Sequence, residues 1–547
     1  NNGNNGNNGN NGNNGNNGGG CSADDDCAAG MRCISDGRCL MRWDRSCATA
    51  EDCRDIEECR DLGGAKGCSL PEQPVFVCPS DDLRCQPTAS QLEAGAAAVV
   101  MTPPGFEQPL PEFLDRGIWF TGDPDIIDGD VTFVDCGLDQ LCDGDPGYPG
   151  PDFGEGDGHM QGAWIAGYDH SRPALRYCAE AEDGRCPADQ PWVGAVAHDD
   201  VWARSLVLRQ GEVTVAIVAV DAVGLFYDHH ERVRALLGAE VEIDLLILTA
   251  THVHEAPDAM GQWGPGAAGS DLPVNTGAEP WWLDHIDQKI AESITEAWAE
   301  LTPVNLRATV VDTGVDGLAM GDGRDPWIVD DDFGIMQFTA MDGGQTVATV
   351  VNWGNHPEVL DDENSFITSD YPHYLRTYLE EGLPEVRRGE EVVAPAREGA
   401  GGVALFLAGA VGGLIGPGRH DARNRAGEVF REGSYEKADA VGAQLADIAL
   451  VALETADEVV PDLSFATRRI SIPVENLQFH TAIYGLRLFD RDVTNVTLDL
   501  PFEGDNIPSA FTQVSLVRIG AVTMFTMPGE VFPETVVGGY DPRAECA

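Results

Sequence analysis

Apolar positions follow no clear period through the first 160 residues and then fall into regular blocks. "EVTVAIVAVD" (212–221) is a nearly unbroken apolar run ending on an acid, the pattern of a strand buried on both faces. "HHERVRALLG" follows as a short helix and "IDLLILTATH" as the next strand, so the three predict a βαβ unit. "WWLDHIDQKIAESITEAWAEL" sets Leu283, Ile286, Ile290, Ile294 and Trp298 three and four residues apart, the stripe of an amphipathic helix. "TVATVVNWGNH" (346–356), "GVALFLAGAVGG" (402–413) and "AVTMFTMPGE" (521–530) are predicted strands that run into turns containing Gly or Pro. "YEKADAVGAQLADIALVAL" (435–453) is a further helix. The pattern predicts an α/β fold, with no internal repeat in this region.

The earlier chain divides by composition. Residues 1–20 are Asn-Asn-Gly triplets and a Gly tail, with no apolar surface to offset the entropy of ordering them. They read as a low-complexity tether. Glycine at every third position also permits close packing of extended chains, although a collagen helix lacks its prolines. Residues 21–90 hold ten of the fifteen cysteines, beginning with Cys21, Cys27, Cys33 and Cys39 at steps of six. Zinc knuckles need C-x2-C pairs, which are missing, so a small disulfide-rich module is expected. Residues 91–160 are rich in Asp, Gly and Pro, and residues 161–547 form the expected α/β catalytic domain. Cys136 with Cys142, and Cys178 with Cys186, are expected as two further local disulfides, leaving Cys546 over.

Charge narrows the partners. The 547 residues carry 91 acidic and 34 basic side chains, a net −57. Such a surface repels nucleic acid and anionic headgroups, so no nucleic-acid partner is expected. No apolar run is long enough to span a bilayer. The first residue is Asn rather than Met, and a targeting segment is expected to have been removed. Together with the cysteines, this predicts an extracellular or cell-surface protein.

The chemistry collects where the strands end. In open α/β sheets, ligands bind beyond the carboxyl ends of strands. Here those ends carry Asp221, then His252 and His254, then His356, and finally Glu530. Two histidines and a carboxylate are a ligand set for catalytic zinc with one position left for water. A single histidine after a strand is more often a hydrogen-bonded loop residue, but three strand ends each offering a ligand point to a metal centre. Within an extended strand the i, i+2 spacing puts His252 and His254 on one face, one binding metal and the other serving as acid/base or as a hydrogen-bond donor to substrate. The metallo-β-lactamase pattern requires Asp and His directly after H-x-H-x, whereas Glu255, Ala256 and Pro257 follow here. An amidohydrolase barrel carries its H-x-H near its first catalytic strand, earlier than this one.

Taken together, these residues resemble the neutral, non-lysosomal ceramidases and their bacterial relatives. "ATHVHEAPD" resembles the family's A-T-H-T-H-S-G-P, "VNWGNHPE" its N-x-x-x-H-P and "MPGE" its P-G-E. "AVAHDDVWARSLVL" is similar to G-I-H-Q-R-L-x-S-R, and "ALFLAGAVGG" to N-x-G-D-V-S-P. The order is the same, and the resemblance covers roughly residues 160–535. It implies an α/β zinc domain that hydrolyses the amide of N-acyl sphingoid lipids. His252, His356 and Glu530 would bind zinc, His254 would assist catalysis, and His198 and Arg204 would lie near the site. Tyr540 follows Glu530 too soon to be assigned as the family's tyrosine ligand. Ala410-Val411-Gly412 stands where the family has Asp-Val-Ser, so zinc-activated water is the expected nucleophile.

Two further expectations lie outside that centre. Asp135, Asp139, Asp152, Glu155 and Asp157 sit among glycines, as oxygen ligands on tight turns for calcium would; a solvated acidic loop is the alternative. A different function class is a self-assembling surface protein that uses the hydrolase fold as a building block. It draws on Gly412, the Asn-Asn-Gly tail and the cysteine-rich module, and predicts self-association through the last two.

Overall fold

The structure, a computed structural model, describes residues 90–103, 164–168, 170, 172, 197–264, 276–278, 280–362, 364, 366–413, 415–474, 476–482, 488–489, 491 and 509–538, with short pieces elsewhere. The expected calcium ligands Asp135, Asp139, Asp152, Glu155 and Asp157 lie outside the described residues, as do Cys136, Cys142, Cys178, Cys186, Tyr540 and the Asn-Asn-Gly tail.

The strands used here are β1 (Phe76–Cys78), β2 (Glu93–Val100), β3 (Trp202–Gln210), β4 (Val213–Val220), β5 (Leu245–Ala250), β6 (Thr302–Asp312), β7 (Asp332–Ala340), β8 (Thr346–Trp353), β9 (Val403–Ala408), β10 (Asp457–Val459), β11 (Leu463–Pro473), β12 (Ser509–Ile519) and β13 (Val522–Thr526). The helices are α1 (Tyr227–Leu236), α2 (Pro280–Ala299), α3 (Tyr371–Glu381) and α4 (Tyr435–Leu453).

The main sheet runs β5-β4-β3-β2-β6-β7-β8-β9, with β10 also paired to β6. It is mixed. β4 with β5 and β8 with β9 are parallel pairs, and the other neighbours are antiparallel. The β4–α1–β5 crossover is the βαβ unit expected from the sequence. β8, α3 and β9 repeat the arrangement in the other half. Between the halves, β2 and β6 pair only at Thr302–Ala94 and Pro303–Glu93.

Alternation along the strands divides the core into layers. In β4, Val215, Ile217 and Ala219 face one cluster, while Ala216, Val218 and Val220 face another. The second cluster takes Leu283, Ile286, Ile290 and Ile294 of α2, which confirms the apolar stripe. In β7, Phe333 and Ile335 meet α3 and α4, while Met336 and Phe338 join Val215 and Ile217. Two half-sheets therefore face each other, each covered outside by a helix pair. This brings the carboxyl ends of the two parallel pairs together.

A second sheet is built on β11 and β12, with β13 on β12 and β1 on β11. Two strands lie where the sequence pattern predicts none. Phe76–Cys78, expected inside the cysteine-rich module, is a strand of this sheet, and Cys78 is buried and disulfide-bonded. Glu93–Val100, expected in an aperiodic segment, is an inner strand between β3 and β6. Among the described residues, no helix is long and apolar enough to cross a membrane.

Candidate metal centre

β5 delivers the first two histidines. Its apolar stretch ends at Ala250, and Thr251 is held by its main-chain N–H to Val220 and its hydroxyl to Asp221. His252 then takes φ +68, a backbone region that non-glycine residues seldom occupy. The i, i+2 pair therefore does not sit on one face of an extended strand. Instead the chain turns, and the main-chain N–H groups of His252 and His254 donate to Ala222 and Pro357. Behind them the buried Arg172–Glu255 pair, at 2.7 Å, fixes the turn, and Arg172 also donates to the His254 carbonyl. β8 delivers His356 from the other half-sheet, after Asn355, whose carbonyl accepts from Tyr371.

The three expected ligands converge. The Nε2 atoms of His252 and His356 are 3.0 Å apart. Glu530, beyond β13, places Oε1 3.5 Å from His252 Nε2 and Oε2 3.7 Å from His356 Nε2. Both Nδ1 atoms face carbonyl oxygens: His252 meets Val223 at 2.5 Å, and His356 meets Ile415. A carbonyl only accepts, so each Nδ1 carries the proton and each Nε2 presents a lone pair. Two lone pairs and a carboxylate facing one another repel unless a cation lies between them. Around a tetrahedral zinc with bonds of about 2.0–2.1 Å, ligand atoms stand about 3.3 Å apart. The observed spacings bracket that value, and the carbonyls supply the outer hydrogen bonds that orient metal-binding imidazoles. The residues fit a bound divalent ion. Burial pushes the His356 imidazole down to about 4, helped by neighbouring His252 and opposed by the Ile415 carbonyl, so it stays neutral as a ligand must.

His254 completes a cluster of three imidazoles. One ring nitrogen from each of His252, His254 and His356 falls within 4.8 Å of the others. Burial and the two neighbouring histidines hold His254 well below the usual imidazole range. Its Nδ1 lies 3.3 Å from Glu358 Oε2, a carboxylate that the sequence reading did not single out. Burial, with Asp370, Asp361 and Glu530 adding, pushes Glu358 up to about 8. Its position two residues after His356, in the same turn, was the available signal. Tyr168, also unanticipated, sets its ring edge-on to His254 at 5.4 Å and donates its hydroxyl to the Glu358 carbonyl.

The remaining expected residues have other partners. His198 Nδ1 bonds Asp199 at 2.8 Å, and its ring stacks on Tyr435 at 3.7 Å. Arg204 on β3 pairs with Glu380 of α3 and donates to the Ala404 carbonyl, tying the two halves together. Asp221 accepts both terminal nitrogens of buried Arg376, along with Ser369 and the Trp202 N–H. Its strand-end position carries a structural pair rather than a ligand.

Gly412 is explained by contact. Its N–H donates to the Val531 carbonyl at 2.8 Å. A Cβ there would stand 2.8 Å from the Glu530 carbonyl oxygen and 2.8 Å from the Val531 carbonyl carbon. The main chain carrying Glu530 packs directly on this glycine, leaving no room for a serine.

No family model and no curated protein matches this chain. Among solved structures, it is similar to the neutral ceramidase from Pseudomonas aeruginosa, at 14% identity and a TM-score of 0.46, over 81% of this chain and 63% of that one. It is also similar to a ceramidase described as complexed with C2, at 15% identity and a TM-score of 0.46, over 81% of this chain and 64% of that one. The chain thus spans less than two thirds of the length of either.

Proposed function

We propose that this protein is a zinc-dependent hydrolase of amide bonds in N-acyl lipids, acting outside the cytoplasm or at the cell surface. The observation that carries the reading is the 3.0 Å approach of the His252 and His356 Nε2 atoms, with both Nδ1 protons committed to carbonyls and Glu530 beside them. His252, His356 and Glu530 hold the ion. When bound, zinc supplies Lewis acidity toward a carbonyl oxygen and toward the attacking water. The His254–Glu358 pair lies next to these ligands and is the group able to take and return a proton. Glu530 is half exposed, so a substrate approaches from its side. The amide-lipid class follows from the resemblance of "ATHVHEAPD", "VNWGNHPE" and "MPGE" to ceramidase motifs. The compartment follows from the cysteine-rich N-terminal region and the acidic excess.

Gly412 was one support for the assembly reading. Its close approach to Glu530 gives the glycine a part in building the site, which favours the enzyme.

The test measures zinc in the full chain purified without chelator, then hydrolysis of a fluorescent N-acyl sphingosine and of a matching ester. About one zinc per chain is expected, with amide cleavage that is lost together with the metal in H252A. A wild-type protein that holds no zinc ends this reading.

A further inference from the structure

We infer that His254 is a fourth metal ligand, held in place by Glu358, so that the ion is gripped by three histidines and Glu530. This rests on the metal-hydrolase reading above and gives the His254–Glu358 pair a different part: the histidine binds metal, and the carboxyl group sits against its Nδ1 and orients the ring.

The three histidines are oriented alike, with hydrogen bonds at His252 and His356 and a looser contact at His254. Each turns Nδ1 toward an oxygen: Val223 O for His252, Ile415 O for His356 and Glu358 Oε2 for His254. An acceptor on Nδ1 leaves the Nε2 lone pair for a metal, and a carboxylate in that place is a recurrent partner of metal-binding histidine. The His254–Glu358 approach of 3.3 Å lacks hydrogen-bond alignment, and both His254 ring nitrogens are sealed from water without a hydrogen-bond partner. A buried polar atom left in that state carries an uncompensated desolvation cost. A cation shared with His252 and His356, whose ring nitrogens lie within 4.8 Å, removes that cost.

The surroundings keep the ring there. Gly167 lies so close that a Cβ would stand 2.5 Å from His254 Cγ, and Tyr168 walls the same side. Glu530 is half exposed whereas all three imidazoles are largely buried, so His254 as a ligand leaves the exposed approach beside Glu530 free. Three imidazoles with one carboxylate suit zinc, copper, iron or nickel and disfavour magnesium and calcium.

The experiment strips the full chain with chelator, reloads it with Co²⁺, and records the visible d–d bands and the affinity by chelator competition. Wild type, H252A, H254A, H254Q and E358Q are compared, with far-UV circular dichroism checking that each is folded. If H254A is not folded, H254Q carries the comparison. H254A is expected to change the d–d bands and to weaken binding by more than about 100-fold, and E358Q by about 10–100-fold. Should H254A and H254Q bind Co²⁺ as wild type does while H252A loses it, the inference is overturned and the metal-hydrolase reading stands. If H252A also binds normally, both fall.

Discussion

His252 and His356 face each other Nε2 to Nε2 at 3.0 Å, each with its Nδ1 turned to a backbone carbonyl. They come from opposite half-sheets, one after β5 and the other after β8. A cation between them therefore joins the two halves where their strands end, and its removal leaves two lone pairs opposed.

Metal removal is accordingly expected to lower stability. A ligand that binds only the folded state at about 100 times its Kd adds about 2.7 kcal/mol. Thermal unfolding with and without chelator should show a lower midpoint in chelator for wild type and no difference for H356A. An identical midpoint for wild type in both conditions counts against an ion at this position.

Gly412 gives a steric prediction. A side chain there meets the Glu530 and Val531 main chain at 2.8 Å. G412S, the change toward the ceramidase motif, is expected to cost about 1–3 kcal/mol of stability through overpacking. It should also weaken metal binding, because the main chain it displaces carries Glu530. Denaturant unfolding and zinc titration of G412S check both effects. A serine variant with wild-type stability and higher activity would show that the contact is relaxed in solution.

The parts legible in the sequence are those with a strong local signal. β4 and β5 are long apolar runs and α2 has a clean stripe, so neighbours along the chain were enough to identify them. Glu93–Val100 escaped because "EAGAAAVV" is mostly Ala and Gly, with weak β propensity; its pairing with β3 and β6 makes it a strand. Phe76–Cys78 escaped because its partner β11 is remote in sequence. At the site, His252, His356 and Glu530 were legible as strand-end residues able to bind a metal, and the structure brings them together. The turn at His252 and the Glu358–His254 contact depend on how two distant loops meet, which no local pattern encodes.

The Asp221–Arg376 pair separates stability from metal binding. Both side chains are fully or almost fully buried, and Arg376 donates at 2.9 and 2.8 Å. Removing one partner leaves an unpaired buried charge, which typically costs about 3–5 kcal/mol. D221A should lower the unfolding free energy by about that amount while the folded fraction still binds zinc. Urea unfolding and zinc content, measured on the same preparation, distinguish this from a ligand role. Loss of zinc from a fully folded D221A protein would return Asp221 to the site.

His230 supplies a pH dependence away from the metal. It sits on α1 at 6% exposure, its Nε2 donates to the Leu246 carbonyl at 2.9 Å, and its Nδ1 is buried without a partner. Burial pushes its pKa down to about 3, with Arg234 and Arg469 adding and the Leu246 bond opposing. The unfolded chain binds this proton near pH 6.5, whereas the folded chain resists it until about 3. The stabilisation is therefore complete above about pH 6.5 and is lost as pH falls toward 3, by up to about 1.4 kcal/mol per pH unit. Other buried histidines add slopes of the same sign, so the informative quantity is the difference between wild type and H230Q. Denaturant unfolding from pH 7.5 to 4.5 should show a shallower decline in H230Q. Parallel declines would mean that His230 is protonated in the folded protein, with its ring nitrogens hydrated or paired in solution.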